Sequence, residues 1–348
     1  MRQVTAPGRP VTGRWIWVIS GVVTATFLAV GSGWLITRAG IPQPATAWSA
    51  IPTRTTLITE PVTGVNVQSY GAPIQVTTGS GPGVTVSEAI AYGEGGGPPA
   101  VTASVSHGLL TLAAPDCGGP LNCSVGFAVT VPRGIAVVAA SGGGNIAVEG
   151  ATTASLDSGG GAVIATGITK SLLVSSEGGP VSADGVAEAV IDSGGGGVRA
   201  IGVDGQLTAA TGGAPLTVAG LTGPLYADTG GGDVVAQGVN ATTATVLTAG
   251  GNVRVVFASA PDRVQVSTAG GGASLSVPGG PYALITDDGG GPQLVRIATN
   301  TAAARSISVF TSGGPLTINS AAAAGRGSGS VPVPQKPVPP KPPAPPGQ

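Results

Sequence analysis

The chain has 348 residues, of which 42% are hydrophobic, 9% charged and 3% aromatic, with 61 glycines and a formal net charge of −1. Length and apolar content suffice for a large core, while so few charges exclude the basic footprint of a nucleic-acid binder. The glycines recur at regular intervals between alternating apolar runs, which is turn chemistry and not low complexity.

Residues 1–14 carry Arg2, Arg9 and Arg14 and read as a short basic cytoplasmic tail. Residues 15–36 (WIWVISGVVTATFLAVGSGWLI) hold no charge. At about 1.5 Å per residue such a helix spans a hydrocarbon core of about 30 Å. Trp15, Trp17 and Trp34 mark its ends as an interfacial aromatic belt would, and the arginines before it place the N-terminus inside and the rest of the chain outside. The competing reading is a signal peptide cut after Ala45-Thr46-Ala47, but the apolar run exceeds the roughly 7–15 residues of a signal core. Either way the remaining chain is expected outside the cytoplasm. Residues 37–56 read as a linker.

Residues 57–136 contain less regular strand patterns (VNVQSY, PIQVTTG, VTVSEAI, FAVTVP) and read as an N-terminal β cap. Cys117 and Cys123 are the two cysteines, separated by Gly-Gly-Pro and two further residues. In an oxidising compartment they are candidates for a structural disulfide. With His107 the one histidine, a Cys/His zinc site has little support.

Residues 137–320 hold about ten copies of a phrase of roughly 17–20 residues, the signature of an all-β β-solenoid (β-helix). Each copy has an alternating apolar stretch, a Ser/Thr/Asp-Gly-Gly turn and a second alternating stretch, as in AASGGGNIAVEGA and LDSGGGAVIATGI. Alternation points Ile146/Val148 and their equivalents inward in the first strand of each copy. In the second strand it points Leu156, Val190, Leu207, Leu225 and Ile285, among others, inward. Small inward residues such as Ala165 and Ala183 imply a thin rod. Residues 321–348 end in VPVPQKPVPPKPPAPPGQ, a polyproline II composition that cannot pack a core.

Asp157-Ser158-Gly159, Asp192-Ser193-Gly194 and Asp228-Thr229-Gly230 each match the D-[ST]-G motif of aspartic proteases. That chemistry needs two carboxylates sharing one proton. Here the motif recurs in phase with the repeat, so the acids are expected to stack about two coils apart as a column of turn residues. With Asp287 and Asp288 this column could hold calcium, but the nine-residue calcium repeat is missing. His107-Gly108 reads as a turn, and no phosphate-binding loop occurs. No catalytic residue, cofactor or metal site is expected.

The lead-in VNVQSYGAPIQVTTGSGPGVTV, the bridge HGLLTLAA and FAVTVPRGIAVVAASGGGNIAVEG resemble the opening of the bacterial putative-adhesin family, a domain of unknown function. Val131-Pro132-Arg133-Gly134 before the first Ser-Gly-Gly copy is particularly similar. The resemblance covers residues 57–320 and implies a surface-exposed, non-catalytic β-solenoid. The leading expectation is a membrane-anchored, adhesin-like envelope protein whose partner is a cell-wall polymer, a glycan or a surface protein. The rivals are an envelope-stress signalling component and a polysaccharide-active enzyme.

Overall fold

A computed structural model describes residues 48–93, 98–115 and 123–321. The expected span at 15–36, Cys117 and the Pro-rich tail lie outside the described residues. Among the described residues no helix is long and apolar enough to cross a membrane.

The chain opens with β1 (Trp48–Ala50), β2 (Arg54–Ile58), β3 (Gly64–Ser69), β4 (Ile74–Thr78), β5 (Val84–Gly93), β6 (Thr102–Ser106), β7 (Leu109–Ala113) and β8 (Cys123–Val131). The repeats follow as β9 (Ala136–Ser141), β10 (Ile146–Glu149), β11 (Thr153–Ser158), β12 (Val163–Thr166), β13 (Ser171–Ser176), β14 (Val181–Val186), β15 (Glu188–Ser193) and β16 (Val198–Val203). They continue as β17 (Leu207–Thr211), β18 (Leu216–Leu221), β19 (Leu225–Thr229), β20 (Val234–Val239), β21 (Thr243–Thr248), β22 (Val253–Phe257), β23 (Arg263–Thr268) and β24 (Ala273–Pro278). Four strands close the rod: β25 (Ala283–Asp287), β26 (Gln293–Arg296), β27 (Ser306–Phe310) and β28 (Leu316–Ala321).

From β9 onward the even strands join sheet 1 and the odd strands sheet 2, giving a flattened solenoid of two facing parallel sheets. One turn of the chain advances the register by 17 residues (Ser141 to Ser158) to 20 residues (Thr248 to Thr268), in line with the expected period. Inward positions form aliphatic columns: Ile146, Val163, Val181, Val198 and Leu216 stack in sheet 1, and each is at most 2% exposed. Each coil buries its aliphatics against the coils above and below, at about 1.5–3 kcal/mol for a fully buried Val, Leu or Ile.

Two of the sequence assignments on sheet 2 are reversed. Val190 is 46% and Ile285 60% exposed. The inward partners on β15 are Ala189 and Ile191, and on β25 the register places Leu284 beside buried Ile307. Both runs have consecutive apolar residues, so alternation alone leaves the phase open.

Two chemistries make the corners. At the first, a hydroxyl closes the turn: Ser158, Ser176, Ser193, Thr211 and Thr229 each donate to the carbonyl three residues on, at 2.5–2.9 Å. Ser69, Ser141, Thr248, Thr268 and Thr311 occupy the same position, and all ten are nearly or fully buried. The acids of the D-[ST]-G motifs are therefore not the corner residues. Asp157 and Asp192 lie one position earlier, on the outward parity, and are exposed. Of the expected turn acids, Asp287 and Asp288 do bond the turn, accepting from Gly289 N at 3.1 Å and Gly290 N at 3.0 Å. The glycine closing this first corner is there for clearance: a Cβ on Gly161 would sit 2.2 Å from the Gly144 carbonyl oxygen of the coil below. The second corner uses a left-handed residue, as at Gly185 with φ 62°, a conformation that favours glycine.

Both ends stack out of chain order. Sheet 2 runs β9-β3-β7 at one end and β23-β27-β25 at the other. The coil β3/β4 is thus held between β7/β8 and β9/β10, and β27/β28 slots between β23/β24 and β25/β26. The expected cap at 57–136 accordingly divides: two of its strand pairs are true coils, and antiparallel β5 and β6 extend them. Part of the expected linker is also structured. β1 and β2 pair antiparallel with β5, because Thr55, Thr56, Leu57 and Ile58 suit a sheet edge better than a coil.

Candidate binding surface

The outer face of sheet 2 carries two columns set by the strand register. In one of them Val138, Ser155, Leu173, Val190, Thr208 and Tyr226 lie on successive rungs. Leu173 is 52% and Tyr226 41% exposed, so this face presents apolar groups to solvent. The neighbouring column reads Asp157, Ser175, Asp192, Ala210, Asp228. Its three carboxylates stand on alternate rungs, about 9.6 Å apart at a strand spacing of about 4.8 Å. No two of them can share a proton, and the motif matches do not converge into a protease site.

The two faces differ in charge. The strands of sheet 2 contain Asp157, Glu188, Asp192, Asp228 and Asp287 against one cation, Arg263. Those of sheet 1 contain Glu88, Glu149 and Asp184 against Arg54, Arg199, Arg254 and Arg296. Arg199 and Arg254 lie three rungs apart on the outer face of sheet 1. Sheet 2 is therefore the acidic face, a distinction hidden by the near-zero net charge.

Other chemistry-bearing residues lie apart. His107 sits in the turn between β6 and β7 at φ 51°, with its Nδ1 3.0 Å from the Ser106 hydroxyl. Cys123 opens β8 and is disulfide-bonded. Glu88 is 8% exposed on the floor of an end cleft lined by Ile51, Arg54, Val86, Ile90 and Val101. Tyr282 is fully buried and donates to the Pro278 carbonyl at 2.6 Å. Burial raises its pKa above the ordinary phenol value; Arg305 lowers it and Asp262 raises it. Among the described residues no group of three or more His, Cys, Asp or Glu side chains is placed to hold a metal ion.

Several solved structures are similar to this chain. A putative adhesin from Bacteroides fragilis is 11% identical, with a TM-score of 0.31 over 78% of this chain and 97% of that one. A putative cell adhesion protein from Clostridium sporogenes is 10% identical, with a TM-score of 0.23 over 78% and 100%. A putative adhesin from Parabacteroides merdae is 12% identical, with a TM-score of 0.35 over 77% and 96%. At these levels no function is transferred from them. No protein-family model matches the chain, nor does any curated protein.

The carboxylate column was legible from the spacing of the D-[ST]-G motifs. The apolar column beside it was not, because alternation through Ala189-Val190-Ile191 leaves the phase of Val190 open. The usable signal is the buried hydroxyl: counting back by two from Ser193 assigns Ile191 and Ala189 to the interior and Val190 to the surface.

Proposed function

We propose that this chain is a membrane-anchored, non-catalytic rod that presents an adhesin-like binding surface outside the cytoplasm. The observation that carries this reading is the outer face of sheet 2. Register fixes its Leu173, Val190 and Tyr226 beside carboxylates at a constant interval, and a rigid surface of that kind suits an extended partner. A cell-wall polymer, a glycan chain or a surface protein fits this description. The anchor is residues 15–36, and a Cys117–Cys123 bridge belongs to the same oxidising compartment; the disulfide-bonded state of Cys123 supports it.

The binding test uses the full chain in detergent micelles against envelope fractions and a glycan panel. Saturable binding that weakens about tenfold or more in Tyr226→Ala is the expected outcome, since aromatic anchors dominate such surfaces. Indifference of every bound fraction to Tyr226→Ala and Leu173→Ser would remove sheet 2 from the reading. The anchor is tested by alkaline extraction of membranes, which should leave the chain in the pellet. An N-terminus beginning at Trp48 in the mature protein would replace the anchor with a cleaved signal.

A further inference from the structure

The charges of this chain are segregated along its length. Of 15 basic residues, Arg2, Arg9, Arg14, Arg38, Arg326, Lys336 and Lys341 lie outside the described residues, which leaves eight within them. Of 16 acids, Glu94 and Asp116 lie outside, which leaves fourteen. The described rod is thus net acidic by six charges. The segment that follows it, residues 322–348, has three cations and no acid. Within the rod the excess lies on sheet 2, beside an apolar column that contains an exposed tyrosine.

We infer that the outer face of sheet 2 is the docking site of the chain's own C-terminal segment, residues 322–348. Three observations fit that occupant. The first is charge: Lys336 and Lys341 are opposite in sign to the outward acids of sheet 2, Asp157, Asp192 and Asp228. The second is surface chemistry. Proline-rich segments in polyproline II conformation dock on aromatic and apolar surfaces, and Tyr226, Leu173 and Val190 stand open in the column beside the acids. The third is reach. The described chain ends at Ala321 in β28, one rung from the rod's tip. From there Lys336 is 15 residues away, about 46 Å at about 3.1 Å per residue. Asp192 on β15 lies five rungs from β27, about 24 Å along the rod. The length left over lets the segment pass around the corner from sheet 1 to sheet 2. Tethering keeps the effective concentration of the segment in the millimolar range, so individually weak exposed ion pairs suffice to populate the docked state. The docked segment covers the face that outside partners would use, which makes it a built-in competitor for that surface.

The test needs no outside ligand, so its failure leaves the adhesive reading standing. The full chain in micelles at low salt is treated with a zero-length carbodiimide, which joins lysine amines to carboxylates, and the products are mapped by mass spectrometry. The expected cross-links join Lys336 or Lys341 to Asp157, Glu188, Asp192 or Asp228. An equal mixture of isotopically heavy and light chains shows whether they form within one chain. Raising the salt to about 0.5 M should reduce them about fivefold or more, because exposed charge pairs are screened. Even distribution over Glu149 and Asp184 of sheet 1, or links only between heavy and light chains, would overturn the inference. A chain ending at Ala321 supplies the reciprocal measurement. In it Asp192 and Asp228 should couple to a small added amine about threefold faster than in the full chain, as docking at millimolar effective concentration implies. Equal rates in the two chains would also overturn the inference.

Discussion

Gly160 and Gly161 are neighbours in one turn, yet their requirements differ. A Cβ on Gly161 would meet the Gly144 carbonyl oxygen at 2.2 Å and its carbon at 2.4 Å, while one on Gly160 meets nothing within 4 Å. Gly161→Ala should therefore cost about 1–3 kcal/mol as local overpacking, and Gly160→Ala close to nothing, read by chemical denaturation. Equal losses would mean that conformational freedom, not clearance, selects glycine here. Thr229 makes a similar separation possible. Thr229→Val keeps the shape but removes the 2.5 Å bond to the Gly232 carbonyl, at about 1 kcal/mol because that carbonyl still accepts from the Thr248 hydroxyl at 3.3 Å, whereas Thr229→Ser should retain most of it. Tyr282 adds a pH dependence. Its raised folded pKa favours the neutral form, so this contribution is complete below about pH 10 and is lost as pH rises through the higher folded value. Tyr282→Phe should cost about 1 kcal/mol at neutral pH and leave a flatter alkaline unfolding curve. The sequence made the inward alternation of Ile146 and Val148 readable. It left the phase of Ala189-Val190-Ile191 open, because alanine counts as core only when its neighbours in space are known.

At the scale of the strand, the amide that opens each sheet 1 strand of the repeat faces the coil below, and the chain answers it in two ways. Asn145, Asp233 and Asn252 accept that amide from Ala162, Asn252 and Gly272 at 2.7–3.0 Å. Where the lower coil offers Ala162, Gly197 or Gly272 instead, the residue above is Pro180, Pro215 or Pro315, which has no N–H to satisfy. Asn145, Gly197 and Asp233, stacked on Pro73, Pro180 and Pro215, follow neither route. Asn252→Ala should cost about 1 kcal/mol; Asn252→Asp keeps the acceptor but sets a second carboxylate against Asp233, whose Oδ1 accepts from Asn252 Nδ2 at 3.3 Å, so it should cost at least as much, and thermal melts of the two variants decide this. The spacing of Asn, Asp and Pro was visible in the sequence, but its logic needs the stacking register, which no single repeat contains. The same holds for β1 and β2, whose short Thr-rich runs become strands only because β5 supplies an edge.

At the scale of the whole molecule, the rod behaves as a sum of near-equivalent coils with nearest-neighbour contacts. Removing residues 177–193, one register step of 17 between Ser176 and Ser193, should leave a folded rod about 4.8 Å shorter, measurable by small-angle scattering. A collapse of the melting transition in that deletion would show coupling beyond adjacent coils. The repeat count and the two-strand coil were legible because periodicity is a global property of the chain. The order of the ends was not, since β25/β26 and β27/β28 have similar patterns and nothing local says which is outermost.

That order bears on how the molecule is made. A simple solenoid can finish each rung as the ribosome supplies it. Here the rung between β23/β24 and β25/β26 stays vacant until residues 306–321 emerge, so the tip closes with the last described strand. A message cut short before that point yields a chain with two raw edges at its far end. Translation through residue 321 is thereby recorded in the shape of the tip.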